Sequence, residues 1–383
     1  MKNVLFIETS TGFGGSGKYL LELLKRIDSI QFNPTVIFSG KGLNIKKIKE
    51  LGIRCEHIDL SFPQIQQSAL SYVYQLFWLV FLVTPKVFCI WGVIRKQKIN
   101  VVYLNNEILS HIPCIIAAKM GGCKVICHNH GLRKLTTIER NFVKHIDWFI
   151  CVSQASYESI RMNIGKKPAT VVYNGLDMND YCLEKIQIDP GINALKKSRR
   201  LVGIFGRIVE WKGHLTFIRA AAKIFEKFPD TVFVITGDDL SPQKFFLNQV
   251  KKEISNLKLN DHFIFTGWRE KTSSVVYGLD VVVHPSILPE PFGLSVIEAM
   301  ALGKAVVASS LGAIPEIIDD GQDGLLFNSK DADDLAEKIV QLISDDELRK
   351  SLGRRARLKV QNNFTIDRNV QEIQFLLEKV STL

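Results

Sequence analysis

The chain has 383 residues, more than one ordinary core encloses, so two domains are expected. Its 46% hydrophobic and 23% charged residues exclude a disordered or fibrous chain, and no low-complexity tract or solenoid-spaced repeat appears. Residues 1–190 carry 23 Lys and Arg against 14 Asp and Glu, a net +9, while the remainder nets +1 of the total +10. That asymmetry points to an anionic partner. Zinc-finger spacing, RNP aromatics and a basic helix with heptads are all missing, so nucleic acid is set aside and anionic lipid retained. Seven cysteines without framework spacing suggest reduced thiols in a cytoplasmic setting.

The chain opens on MKNVLFIE, which reads as a strand rather than a leader. A glycine loop follows, within TSTGFGGSGKYL (Thr9–Leu20), and then the helical KYLLELLKRI. Gly12, four residues and Gly17-Lys18 open a nucleotide-triphosphate P-loop, but the next residue is Tyr19 where Ser or Thr would hold magnesium. An ATP-binding P-loop at 12–18 therefore stays only as an alternative. Apolar runs at 34–40, 55–60, 101–105, 124–129, 147–153 and 170–174 alternate with helix-length stretches, the pattern of a parallel sheet with crossover helices.

Between them, residues 60–85 carry no charge, and ALSYVYQLFWLVFLV is apolar on every helical face. Residues 69–94 have three readings: a core helix, a transmembrane span, or a helix dipping into a membrane interface. The aromatics Tyr72, Tyr74, Phe77, Trp78 and Phe81, followed by Arg95, Lys96 and Lys98, favour the interface. The cluster CKVICHNH mimics a metal site with Cys123, Cys127, His128 and His130. It reads instead as a strand whose neighbours face opposite ways, so no metal is expected.

The pattern restarts at RRLVGIFGR (199–207) and continues with runs at 231–238, 262–268, 281–286 and 305–310, a second doubly wound domain after a linker within 176–198. Asp367–Val380 reads as a terminal helix. In GRIVEWKGH, Arg207 and Lys212 sit in the turn after this domain's first strand, two cations suited to neutralising a pyrophosphate. In EPFGLSVIE, Gly293 and Leu294 begin a helix whose free N–H groups suit a phosphate. Glu290 precedes that helix, placed to accept from sugar hydroxyls, and Glu298 lies within it, placed to hold a ribose diol.

These motifs resemble the large retaining glycosyltransferase family four: EPFGLSVIE its E-x7-E motif and GRIVEWKG its G-R-x4-K-G turn. LGAIPEIIDDGQDGLLF, VVYNGLD and HNHG resemble further family segments, so the likeness spans nearly the whole chain. It implies an α/β GT-B fold, two Rossmann-like domains facing across a cleft. The boundaries are 1–180 for the acceptor domain, 181–364 for the donor domain, and 365–383 for a helix crossing back to the first.

It also implies roles. His130 is the first-domain catalytic-site residue, with His128 the alternate, joined by Arg207, Lys212 and Glu290. Gly14, Gly15, Gly206, Thr266, Gly267, Phe292, Gly293, Leu294 and Glu298 bind the donor. The reaction implied moves a sugar, with retention and without metal or cofactor, from a nucleotide diphosphate sugar to an acceptor hydroxyl. A UDP-sugar is favoured and a GDP-sugar is possible. With the basic first half, the resemblance suggests a peripheral enzyme on the inner face of a bacterial membrane, acting on a lipid-linked saccharide. A non-catalytic saccharide- or membrane-binding relative is the other alternative.

Overall fold

The computed structural model describes residues 1–9, 15–40, 43–60, 81, 83–106, 108–196 and 198–383. The chain divides into two compact units, Met1–Asn174 with Ile366–Leu383, and Gly175–Thr365.

Among the described residues, the first unit holds β1 (Lys2–Glu8), β2 (Phe32–Phe38), β3 (Arg54–His57), β4 (Val101–Leu104), β5 (Lys124–Asn129), β6 (Trp148–Cys151) and β7 (Ala169–Val171). They form one parallel sheet in the order β3-β2-β1-β4-β5-β6-β7. Both faces are covered, which is why the central strands are near-continuous Val, Ile and Leu. Leu5, Ile7, Val102 and Leu104 face a core shared with Ile90 and Ile94 of helix Thr84–Lys96. Val4, Phe6, Val101 and Tyr103 face the other way, onto helix Gly15–Arg26 and the C-terminal helix Ile366–Ser381. The C-terminal helix packs Val370, Ile373 and Leu377 into that core. It is fixed by Asn369 Nδ2 donating to Tyr173 O at 2.7 Å and by an Arg26–Asp367 ion pair at 3.2 Å.

The second unit holds β8 (Arg200–Phe205), β9 (Thr231–Thr236), β10 (Phe263–Gly267), β11 (Val281–His284), β12 (Ala305–Ser309) and β13 (Leu325–Phe327), parallel in the order β10-β9-β8-β11-β12-β13. Its core stacks Phe233 on Phe263 with ring centroids 5.1 Å apart and sets Phe217 edge-on to both. β13 has three residues, too few to show a periodicity in sequence. The stretch 176–198 contains the turns Met178–Tyr181 and Leu183–Lys185 and the helix Pro190–Lys196.

In both sheets the first strand is central. The chain runs outward on one side of it and returns on the other, so the connections diverge between β1 and β4 and between β8 and β11. The crevice beyond the carboxyl ends at such a divergence is where open α/β sheets hold ligands.

Candidate active site

The carboxyl ends of β8 and β11 carry a compact polar cluster. After β8 the chain turns at Gly206 and reaches Lys212 through the short turn Glu210–Lys212. Gly213 closes the turn with φ +75°, and a Cβ there would lie 1.7 Å from Pro285 O. Only glycine allows this loop to lie against the end of β11. The approach brings Lys212 Nζ to Glu290 Oε1 at 2.5 Å. The same oxygen accepts from Ser286 Oγ at 2.8 Å and lies 3.1 Å from His284 Nε2. Ser295 Oγ meets His284 Nδ1 at 3.1 Å. The Lys212 ammonium lies 4.5 Å above the Trp211 ring, and its side chain is 16% exposed.

Glu290 itself is 6% exposed. Its backbone pairs with Gly312, whose φ of +60° brings the chain so close that a Cβ would sit 2.4 Å from Glu290 O. Burial opposes ionisation of Glu290. The hydrogen bond from His284 and the Lys212 charge outweigh it and hold the carboxyl well below the usual range. Burial keeps the His284 imidazole below its ordinary value, hence neutral, despite Glu290 beside it. A neutral His284 that donates from Nε2 to Glu290 accepts from Ser295 at Nδ1, which makes the chain of bonds self-consistent.

Helix Leu294–Ala301 begins directly after Gly293, and no side chain caps it. Its first-turn N–H groups and the positive end of its dipole add to the field of Lys212. Arg207 is exposed and has no ion pair among the described residues. Glu298, on the same helix, is half-buried and accepts a hydrogen bond from the Tyr181 hydroxyl. Burial, with the Glu298 carboxylate, pushes that phenol well up. Arg357 ties the two segments, donating to the carbonyls of Tyr181 (2.9 Å) and Ala301.

The other expected positions are spread more widely. The Phe292 ring is buried against Phe364, 5.9 Å between centroids. Thr266 and Gly267 end the edge strand β10, two strands from β8, and Thr266 Oγ1 bonds Thr236 Oγ1 at 3.0 Å. Gly14 and the loop around it lie outside the described residues, as do 61–80 of the apolar stretch; Gly15 begins helix Gly15–Arg26.

A second cluster occupies the carboxyl ends of β1, β4 and β5. His128 is fully buried, with Nδ1 2.6 Å from the Tyr103 hydroxyl. His130 lies beside it, 4.0 Å between ring centroids with the planes tilted by 39°, and keeps partial exposure. Burial pushes the His130 imidazole down to about 3 and His128 lower than its ordinary value as well. Tyr19 is 7% exposed and sets its ring edge-on to both imidazoles at 5.2 Å. The residue that breaks the P-loop pattern is thus buried aromatic packing. Cys127, by contrast, sits in the core on the opposite face of the sheet.

The sequence reading missed His284, Ser286 and Ser295 around Glu290, Tyr181 beside Glu298, and Glu8 and Asn105 beside His130. For three of them a signal existed. Glu8, Asn105 and His284 are polar residues closing otherwise apolar strands, and such positions border the crevice.

Two doubly wound parallel α/β units, the second carrying a buried Lys–Glu pair beside an uncapped helix start, have the architecture of the GT-B class. The family model for Glycosyltransferase Family 4 matches residues 13–180, and that for Glycosyl transferases group 1 matches residues 185–359. The chain belongs to this glycosyltransferase family. It is 25% identical to an uncharacterised glycosyltransferase of Methanocaldococcus jannaschii over 96% of this chain and 95% of that protein. It is 24% identical to the Escherichia coli UDP-Gal:alpha-D-GlcNAc-diphosphoundecaprenol alpha-1,3-galactosyltransferase over 75% of this chain and 77% of that one. The fold also matches the crystal structure of Anabaena HepE in complex with UDP and glucose, with TM-score 0.79 and 23% identity over 99% of this chain and 100% of that one.

Proposed function

We propose that the protein transfers a sugar from a nucleotide diphosphate sugar, a UDP-sugar in preference to a GDP-sugar, to an acceptor hydroxyl with retention of configuration. The observation that carries this reading is the Lys212–Glu290 pair beside the open start of helix Leu294–Ala301. The barrier is charge separation between an oxocarbenium-like sugar and a departing diphosphate. Lys212, Arg207 and the N–H groups at Gly293–Leu294 stabilise the diphosphate as its charge grows. These positive groups do what a metal would otherwise do, so the reaction needs none. Lys212 leaves Glu290 to reach the phosphate. A sugar hydroxyl then replaces it as a donor to Glu290, whose position Ser286 and His284 maintain. Glu298 holds the ribose diol, and His130 accepts a hydrogen bond from a substrate hydroxyl. Departing phosphate oxygen takes the acceptor proton on the face it vacates.

Thermal melting with UDP, GDP, ADP and ATP, each with and without magnesium, tests the reading. A ligand at a hundredfold excess over its Kd adds about 2.7 kcal/mol to the folded state. The expected result is a rise with one diphosphate, independent of magnesium and lost in Glu298→Ala. A rise only with ATP and magnesium, lost in Lys18→Ala, would replace this reading with the P-loop one.

The acceptor we propose is a lipid-linked saccharide met at an anionic membrane surface. No helix among the described residues is long and apolar enough to cross a membrane. Helix Thr84–Lys96 nevertheless exposes Phe88 (54%) beside Trp91, over whose ring the Arg95 guanidinium lies at 5.0 Å. Exposed aromatics flanked by cations suit an anionic interface. Sedimentation with anionic vesicles should be salt-sensitive and weakened in Phe88→Glu; equal behaviour of variant and parent removes this surface from the proposal.

A further inference from the structure

Glu8 is a carboxylate 3% exposed at the end of a buried strand, and the mechanism above makes no use of it. Side chains alternate along strands, so Val4, Phe6 and Glu8 share a face. The rows Val101–Tyr103–Asn105 and Ile126–His128–His130 run alongside on that same face, because β1, β4 and β5 are neighbours in register. Their last members meet at the divergence between β1 and β4.

The hydrogen bonds there leave little freedom. Asn105, fully buried, places Nδ2 at 2.5 Å from Glu8 Oε2 and 3.1 Å from the Ser16 carbonyl. A carbonyl only accepts, and a flipped amide would set oxygen against oxygen at that distance. The amide orientation is therefore fixed by its surroundings. Asn105 Oδ1 then faces His130 Nε2 at 3.0 Å. An amide oxygen only accepts, so Nε2 carries the hydrogen. Burial keeps the imidazole neutral, and its single hydrogen is committed to Nε2. Nδ1 is left as a bare acceptor. The neighbouring His128 ring at 4.0 Å and the Tyr19 edge at 5.2 Å hold the ring plane.

We infer that Glu8 and Asn105 are positioning residues for His130: the carboxylate orients the amide, the amide fixes the Nε2–H tautomer, and Nδ1 becomes a pre-aimed acceptor for a substrate hydroxyl. The inference rests on the proposed reading of His130 as a substrate contact. It assigns Glu8 a role in the reaction without contact with the substrate. It also makes the first unit select for a hydroxyl at one position, since an acceptor nitrogen rewards a donor and rejects a substrate lacking one.

The test is imidazole 15N spectroscopy on the full chain, with His130 assigned by comparison with His130→Gln, alongside steady-state kinetics. Wild type should show His130 protonated at Nε2 and bare at Nδ1 from pH 5 to pH 8. Glu8→Gln keeps the shape but replaces the acceptor-only carboxylate with a group that can also donate, leaving the Ser16 carbonyl alone to orient the Asn105 amide, so it should populate the other tautomer in part. It should lower kcat between about tenfold and a hundredfold, with KM for the nucleotide sugar little changed. Asn105→Leu should remove the Nε2–H preference outright. Unchanged nucleotide-induced stabilisation certifies folding of each variant. If neither variant folds, the wild-type spectrum alone decides, because an Nδ1–H or protonated His130 overturns the relay. A Glu8→Gln protein with wild-type spectrum and rate overturns it too. A wild type that shows the relay yet transfers no sugar from any nucleotide-sugar would uphold the positioning and sink the transferase reading.

Discussion

Replacing Lys212 with Met tests the polar cluster most directly. Met keeps most of the stem and removes the charge. Glu290, 6% exposed, would then keep Ser286 at 2.8 Å and His284 at 3.1 Å but lose its counter-charge. Breaking a buried pair from one side costs about 3–5 kcal/mol. The two remaining donors and the partial exposure of Lys212 set this case lower, at about 2–3 kcal/mol. For a unit of this size that is a fall in Tm of about 5–10 °C. In wild type the Glu290 carboxyl is depressed, so its contribution is present above about pH 4.5 and fades as pH falls through the folded value. In the variant that value rises, and the deficit relative to wild type should shrink as pH falls from 7.5 to 5. Calorimetry of wild type, Lys212→Met, Glu290→Gln and the double variant at both pH values measures this. The transition to follow is the one raised by the nucleoside diphosphate. The double variant, a neutral pair, should melt above Lys212→Met. A Lys212→Met protein that melts with wild type at pH 7.5 would refute the reasoning, as would a double variant no more stable than the single.

Two further outcomes follow from the geometry. Tyr181→Phe removes the hydroxyl that orients Glu298, and a hydrogen bond to a charged group contributes about 1.5–3 kcal/mol. Nucleoside diphosphate affinity by titration calorimetry should fall about tenfold, and an unchanged affinity would separate Tyr181 from the site. His128 and His130 are held neutral by burial, His130 down to about 3, whereas unfolded imidazoles bind protons near pH 6.5. Stability is therefore full above pH 6.5 and declines as pH falls from there toward 3. The rate at saturating substrate should show no imidazole ionisation above pH 5. A kcat ionisation near pH 6.5 that vanishes in His130→Gln would contradict this.

Much of the fold was readable in the sequence for a local reason. Strands buried on both faces are written as short Val, Ile and Leu runs, and Lys2–Glu8, Lys124–Asn129, Thr231–Thr236 and Ala305–Ser309 all show it. Leu325–Phe327 did not, because three residues carry no period. The functional motifs were readable where the chemistry is contiguous, as in Glu290 through Glu298. Lys212 and Glu290 each stood out alone, yet nothing in their 78-residue separation says that they form an ion pair.

By itself, the order of apolar runs and glycine turns determined two doubly wound parallel units, since burial and backbone conformation act over a few residues. The contents of the site are another matter. That His284 and Ser286 share Glu290 with Lys212, that Tyr181 reaches Glu298, and that Glu8 orients His130 through Asn105 were decided only when the parallel strands came into register. Hydrogen bonds are made over about 3 Å in space, while Lys212 and Glu290, Tyr181 and Glu298, and Glu8 and Asn105 lie tens to more than a hundred residues apart in sequence.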